Sequence, residues 1–431
     1  MSDRRHLIIV VRADPIICGH STEARNLAEA AVRSGFDKVD IVTYPERILA
    51  TAGLPLKPAD QVLPYGRNIT VHRPEPVGDY KVIDGRVLQG MAGRVVDLLT
   101  RSHGQQVVLD LYLVPHGRIV IDAIDTARAV MRRRGSDLDI LSIAEVVGSD
   151  ITNVVRNAIT NGAYGVAAQL LQTYLDHDLP VAVSRFTRDL IVHAGVEVDD
   201  HLQTTFASEL RQRILVNYPA IDTKPYLSGG TEPHALAQVL RDRGLEYGQY
   251  MLFLSRLARA KGADDAIHAY RRSSWYGVRP LVIAGNGPAL PGLQRLANND
   301  PHIRFITDLG DREKPRLMHA CGAFVLPSKP SPEFVETFGI VLAEKMLAGG
   351  PGPIITTRTG GIPEATGDHC VYVDAGDPVG IAAALDEVAR WPRRRLESLA
   401  NEAQEYAMRF DRQEILRNLV DGQAALLRQA G

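Results

Sequence analysis

The sequence predicts an α/β protein built from two parallel-sheet domains. Three observations carry that expectation. The chain has 431 residues, which at roughly 100–200 residues per domain suits two domains. Short apolar runs alternate with helix-like segments in both halves, the pattern of parallel strands joined by helices on both sheet faces. A stretch rich in Pro, Gly and polar residues, NYPAID (217–222), TKPY (223–226) and SGGTEP (228–233), interrupts the alternation and marks a junction.

In the first half, HLIIVV (6–11) reads as a buried strand. Residues 21–34 follow as a helix, with Ala24, Leu27, Ala28, Ala31 and Val32 on one stripe and Gly35 closing it. VDIVTY (39–44), VVLDLYL (107–113), DILSIAEVV (139–147) and PVAVS (180–184) are further strands. Helices are expected over 86–102, 117–133 and 163–176, with a short one after 184. The second half restarts with strands YMLFLS (250–255), LVIAG (281–285), IRFIT (303–307), AFVLPS (323–328) and PIITT (353–357). Helices fit between them, notably 336–348 and 379–390. From Asp411 the chain reads as one long helix, with Ile415, Leu416, Leu419, Val420, Ala424 and Leu427 at helical spacing. Ligands of such sheets bind outside the carboxyl ends of the strands, so both halves would offer loops to a cleft.

Composition narrows the class. Lys plus Arg is 49 against 51 Asp plus Glu, a net charge of −2. That balance argues against a general nucleic-acid binder, and leaves room for a local cationic cluster. The basic run Arg128, Arg132, Arg133, Arg134 reads as a solvated helix end rather than a membrane contact. The three cysteines, Cys18, Cys321 and Cys370, are widely spaced and form neither a metal pair nor a disulfide framework. A reducing cytoplasm is the expected compartment. The amino-terminal apolar run is too short for a signal core or a membrane span.

The densest motif is PEFVETFGIVLAEKMLAGG (332–350). On one helix, Glu336 and Glu344 would lie about 12 Å apart along the axis. Paired glycosidase carboxylates sit about 5–9.5 Å apart, so the spacing suits two carboxylates gripping opposite ends of one extended ligand. Thr337-Phe338-Gly339 between them falls at a helix start, where backbone N–H groups and the dipole favour an anion.

With these residues the chain resembles the retaining two-domain glycosyltransferases of the GT-B fold, family 4. Their signature sets two glutamates with seven residues between them and Phe-Gly inside, as in Glu336, Phe338, Gly339 and Glu344. SRLARAKG (255–262) resembles the family's Gly-Arg-Leu…Lys-Gly, with Ser255 where Gly is commoner. AGNGP (284–288) resembles the loop near the nucleoside, and TGGIPEA (359–365) a segment of structural role. NYPAID matches the family's domain junction, and CGHSTEARNLAEAA (18–31) its Gly-rich loop and following helix.

The resemblance implies two Rossmann-like domains facing a central cleft. Residues 1–222 would form the acceptor domain, 233–410 the nucleotide-sugar domain, and 411–431 a helix crossing back to the first domain. It implies a retaining hexosyltransferase that uses a UDP- or GDP-sugar, acts on a small soluble acceptor and needs no metal or further cofactor. Arg256 and Lys261 would neutralise the leaving diphosphate, and Glu336 would hold the sugar hydroxyls. Glu344 would hold the ribose. Gly19, Gly285, Asn286, Phe338, Gly339 and Ile340 would offer backbone to the nucleotide or sugar. On the acceptor side the sequence departs: Leu111 and Val147 stand where the family carries histidines. His116, with Asp110 nearby, is the candidate substitute base. A sugar-phosphate enzyme on the same fold (a phosphorylase or an epimerase-like enzyme) and a non-catalytic sugar-nucleotide sensor are the alternatives.

Overall fold

A computed structural model describes residues 4–12, 19–51, 65–77, 83–148, 150–230, 232–331 and 334–422. The chain divides into two compact units. One comprises residues 1–220 together with 412–431, the other residues 221–411.

The first unit is a seven-stranded parallel sheet. Its strands are β1 (Arg5–Val11), β2 (Lys38–Val42), β3 (Ile69–His72), β4 (Gln105–Leu111), β5 (Asp139–Val146), β6 (Leu179–Ala182) and β7 (Leu215–Val216). They run in the order β3-β2-β1-β4-β5-β6-β7. Alternation along each strand sends successive side chains to opposite faces. Leu7, Ile9, Leu109 and Ile143 meet Ala24, Leu27 and Ala31 of the helix Gly19–Arg33 on one face. Ile8, Val10 and Val108 meet Val87, Met91 and Val95 of the helix Ile83–Arg101 on the other. Ile415, Leu416, Leu419 and Val420 complete the first of these cores. The expected single terminal helix is instead an α-helix, Arg412–Arg417, followed by a wider turn, Asn418–Gly422. Ala424 and Leu427 lie outside the described residues.

The second unit holds six parallel strands: β8 (Met251–Leu254), β9 (Leu281–Ala284), β10 (Ile303–Ile306), β11 (Ala323–Leu326), β12 (Ile354–Thr357) and β13 (Val371–Val373). Their order is β10-β9-β8-β11-β12-β13. Among the described residues no helix is long and apolar enough to cross a membrane. Arg133 and Arg134 turn their guanidinium groups onto the Ala129 and Thr100 carbonyls, each at a helix C-terminal turn, where positive charge is favoured.

Two buried charge clusters hold the first unit. In one, the Asp40 carboxylate of β2 lies 2.6 Å from His6 Nε2, 2.7 Å from His72 Nε2 and 2.7 Å from Lys38 Nζ. Burial alone would raise its pKa, but hydrogen bonds from these three groups hold it well below the usual carboxylate range. In the other, Asp110 of β4 faces His116 Nε2 at 3.0 Å and His177 Nε2 at 3.5 Å, all three side chains fully buried. Burial raises this carboxyl too, and the two imidazoles outweigh it, bringing the pKa to about 2.

A third cluster has the opposite sense. Glu145 shares a strand face with Leu141 and Ile143, toward the helix that carries Glu23. Both Glu145 oxygens are buried without a hydrogen-bond partner. Burial and the neighbouring Asp150 push its pKa up to about 8. Burial likewise raises Asp150 to about 6, against the Gly148 and Ile151 N–H groups that it accepts. Glu23 is raised by burial and by Glu145 while its Oε1 accepts the Ala220 N–H at 2.8 Å.

Glu145 keeps its proton in the folded state above the pH at which the unfolded chain gives it up. Stability therefore falls as pH rises from the unfolded carboxyl value toward about 8. Melting curves between pH 5 and 8 should show Tm dropping by on the order of 10 °C, and Glu145→Gln should flatten that slope. An equally steep slope in the variant would exclude Glu145 as its source. Asp40 acts in the other direction: its contribution is present above the unfolded value and is lost as pH falls below it. For His116→Ala, the loss of a partner from buried Asp110 should lower unfolding free energy by roughly 3 kcal/mol, read by urea denaturation.

Candidate functional site

In the second unit the strand order reverses between β8 and β11, the switch point at which open parallel sheets bind ligands. The loop leaving β8 carries Ser255, Arg256 and Lys261, and the segment leaving β11 leads to Glu336. These are the residues singled out in the sequence, and two of them touch. Lys261 Nζ donates to Glu336 Oε2, and its ammonium lies 4.7 Å from the Phe334 ring centroid. Arg256 is exposed, and its side chain has no ion-pair partner among the described residues. One cation is therefore oriented by a carboxylate and another is open to solvent, on one loop at one end of the sheet.

The expected helix over 336–348 begins later. It spans Ile340–Ala348, and Glu336, Thr337 and Phe338 precede it in irregular backbone. The two glutamates therefore do not share a helix, and the spacing along one axis does not apply. Gly339, at φ 97°, turns the chain into the helix, a conformation that side chains with a Cβ resist. The segment is held from behind by Gly360 and Gly361. A Cβ on either would sit 2.0 Å from the Glu336 or Thr337 carbonyl oxygen, and the Gly361 N–H donates to Glu336 O at 2.9 Å. The TGGIPEA motif thus sets the path of the glutamate segment. Phe338 is buried, with its ring edge-on to Phe410 at 5.1 Å.

Glu344 lies inside the helix and is almost fully buried. Its Oε1 accepts from Tyr226 OH at 2.5 Å and its Oε2 from Lys314 Nζ at 2.5 Å. Neither partner was anticipated. Tyr226 sits in the stretch read as junction loop, which forms the short helix Thr223–Ser228, and Lys314 opens the helix Lys314–Ala320. A lone Tyr or Lys in a helix carries no local signal of a partner about a hundred or thirty positions away.

The AGNGP loop packs directly on the Ser255–Gly262 loop. Leu257 N donates to Asn286 O at 2.8 Å, and Ala289 N donates to Leu257 O at 2.9 Å. Gly285, at φ 132°, leaves no room for a Cβ against the Ser255 carbonyl. Asn286 is exposed, and its Oδ1 accepts the Gly287 N–H.

In the first unit, Gly19 opens the helix Gly19–Arg33, and residues 13–18 before it, including Cys18, lie outside the described residues. His116 corrects an expectation. It precedes the helix Gly117–Arg133, as the sequence suggested, but it is fully buried against Asp110 and exposes no nitrogen for an acceptor. Leu111 is a core residue of the sheet.

Residues 243–407 match the family described as glycosyl transferases group 1. D-inositol 3-phosphate glycosyltransferase of Corynebacterium kroppenstedtii is 26% identical over 224 residues, covering 49% of this chain and 48% of that protein. Glycogen synthase of Mycobacterium tuberculosis is 34% identical over 154 residues, covering 33% and 36%. The chain thus spans about half or less of the length of these curated relatives. Among solved structures, Anabaena HepE in complex with UDP and glucose superposes with a TM-score of 0.67 at 16% identity, over 97% of this chain and 99% of that one. WaaG, a glycosyltransferase involved in lipopolysaccharide biosynthesis, gives 0.62 at 13% identity, over 96% and 98%. The chain carries a glycosyl transferases group 1 domain, on a GT-B architecture of two parallel-sheet units.

Proposed function

We propose that the chain is a retaining glycosyltransferase that moves a hexose-type sugar from a nucleoside-diphosphate donor to a small acceptor. The observation that carries this reading is the Lys261–Glu336 pair beside exposed Arg256 at the β8/β11 switch point of a group 1 domain. Lys261 has three N–H donors and gives one to Glu336, so others remain for a phosphate oxygen. As the bond from sugar to diphosphate breaks, charge gathers on the leaving group. Fixed cations there stabilise the transition state more than the bound donor. Arg256 and Lys261 supply that charge, so the reaction runs without a metal ion. Glu336 binds the sugar hydroxyls and Glu344 the ribose. Backbone groups of Gly285, Asn286, Phe338, Gly339 and Ile340 line the donor.

The acceptor attacks from the face that the diphosphate leaves, and the departing phosphate oxygen takes the acceptor proton. This route needs no side-chain base, which accords with the burial of His116. The nucleotide is a uridine or guanosine diphosphate, and UDP is the nucleotide named with HepE. The acceptor is a soluble small molecule met in the cytoplasm.

Turnover assayed against UDP-, GDP-, ADP- and TDP-sugars identifies the donor. Glu336→Ala should then lower turnover about 100-fold or more with the melting temperature little changed. Near-normal turnover would sink the donor-site assignment. Lys261→Ala should reduce kcat by a larger factor than it weakens donor binding measured by calorimetry. Equal losses would make Lys261 a plain binding residue.

A further inference from the structure

Glu344 has almost no solvent contact, at 4% exposure, so its partners set where its lone pairs point. A carboxylate offers about four acceptor directions. Among the described residues, Tyr226 OH takes one on Oε1 and Lys314 Nζ one on Oε2, which leaves one on each oxygen. That is the pattern needed to accept two adjacent hydroxyls. The Lys314 ammonium also lies 5.7 Å from the Tyr226 ring centroid, so the three side chains form a closed triangle.

The phenol itself is rigidly held. Burial and Glu344 raise the Tyr226 pKa well above its ordinary value, which keeps its proton in place as a donor. Its helix is stitched at the start: Ile221 N donates to Phe410 O at 2.9 Å, and Thr223 Oγ1 donates to Asp411 Oδ2 at 2.6 Å. Groups held this way keep a binding geometry without reorganising on ligand arrival.

We infer that Tyr226 and Lys314 are positioning residues that orient Glu344 for the two vicinal hydroxyls of a ribose, and so set the enzyme's preference for ribonucleotide over deoxyribonucleotide donors. This inference rests on the donor-site reading above. A merely structural tyrosine would change stability when altered and leave the sugar preference of the nucleotide untouched.

Calorimetric titration of the full chain with UDP, 2′-deoxy-UDP, GDP and 2′-deoxy-GDP tests it. Wild type should bind one ribonucleotide at least about tenfold more tightly than its 2′-deoxy counterpart, as expected for a hydrogen bond to a charged group. In Tyr226→Phe the preference should fall to about twofold or less, with ribonucleotide binding weakened more than deoxynucleotide binding, which keeps only the 3′-hydroxyl contact. Lys314→Met, altered at a partly exposed position, should shift the ratio the same way and carries the test if Tyr226→Phe does not fold. A variant that keeps the wild-type ratio overturns the positioning role and leaves the donor reading standing. Equal binding of both forms by wild type overturns it as well. Absence of binding by all four nucleotides at millimolar concentration overturns the donor reading itself.

Discussion

The meeting of Lys261 with Glu336 depends on a backbone constraint, the lack of a Cβ at Gly360 and Gly361. Those two residues let the segment after β11 run close against the turn after β12, with the Gly361 N–H bound to the Glu336 carbonyl. An alanine at either would have to displace main chain, since the atom in the way is a carbonyl oxygen and not the end of a flexible side chain. With that path fixed, the Glu336 carboxylate reaches the β8 loop and meets the ammonium. The same path delivers Phe338 to Phe410 and starts the helix at Ile340. Geometry that looks like a property of two charged side chains is thus set by two residues with no side chain at all.

Much of this was legible in the sequence, for physical reasons. Buried parallel strands are short continuous apolar runs, so MLFL, LVIA, AFVL and IITT stand out against their polar flanks. Chemistry in such sheets sits at carboxyl ends, so the residues following these runs were the ones to weigh. Short or edge elements escaped. β3 is four residues long and β13 three, too few for a period to register. The helix Arg393–Ala407 also went unmarked: its exposed, highly charged face leaves only Ala403 and Ala407 fully buried.

The candidate site was legible in its motif residues and illegible in their supports. Arg256, Lys261, Glu336 and Glu344 lie in motifs because their spacing is set by strand ends. Tyr226 and Lys314 reach Glu344 through tertiary packing, and no local pattern encodes that approach. The helical reading of Glu336 failed for a related reason. Residues 336–338 have acceptable helix propensity, but propensity is a weak prior, and the Gly360–Gly361 turn overrides it, the Gly361 N–H pairing with the Glu336 carbonyl. His116 shows the converse: a polar residue at a strand end suggested chemistry, while it packs beside Asp110 and His177 in a buried structural cluster.

Buried carboxylates are managed in two opposite ways, and the first unit holds both, since Asp40 and Asp110 have cationic or imidazole partners there. In the second unit Glu336 and Glu344 each have a lysine that holds the carboxylate in place. In the first, Glu145 and Asp150 crowd together where burial favours the protonated forms. A protonated carboxyl is a hydrogen-bond donor with no net charge, so it can be packed without a counterion. A carboxylate meant to grip hydroxyls must remain an acceptor on both oxygens, which requires a cation or a phenol on its other lone pairs. The lysine and tyrosine around Glu344 satisfy that requirement, and the bare oxygens of Glu145 do not. The contrast separates a carboxylate held as an acceptor by its partners from one packed without them, on the same kind of sheet and with the same functional group.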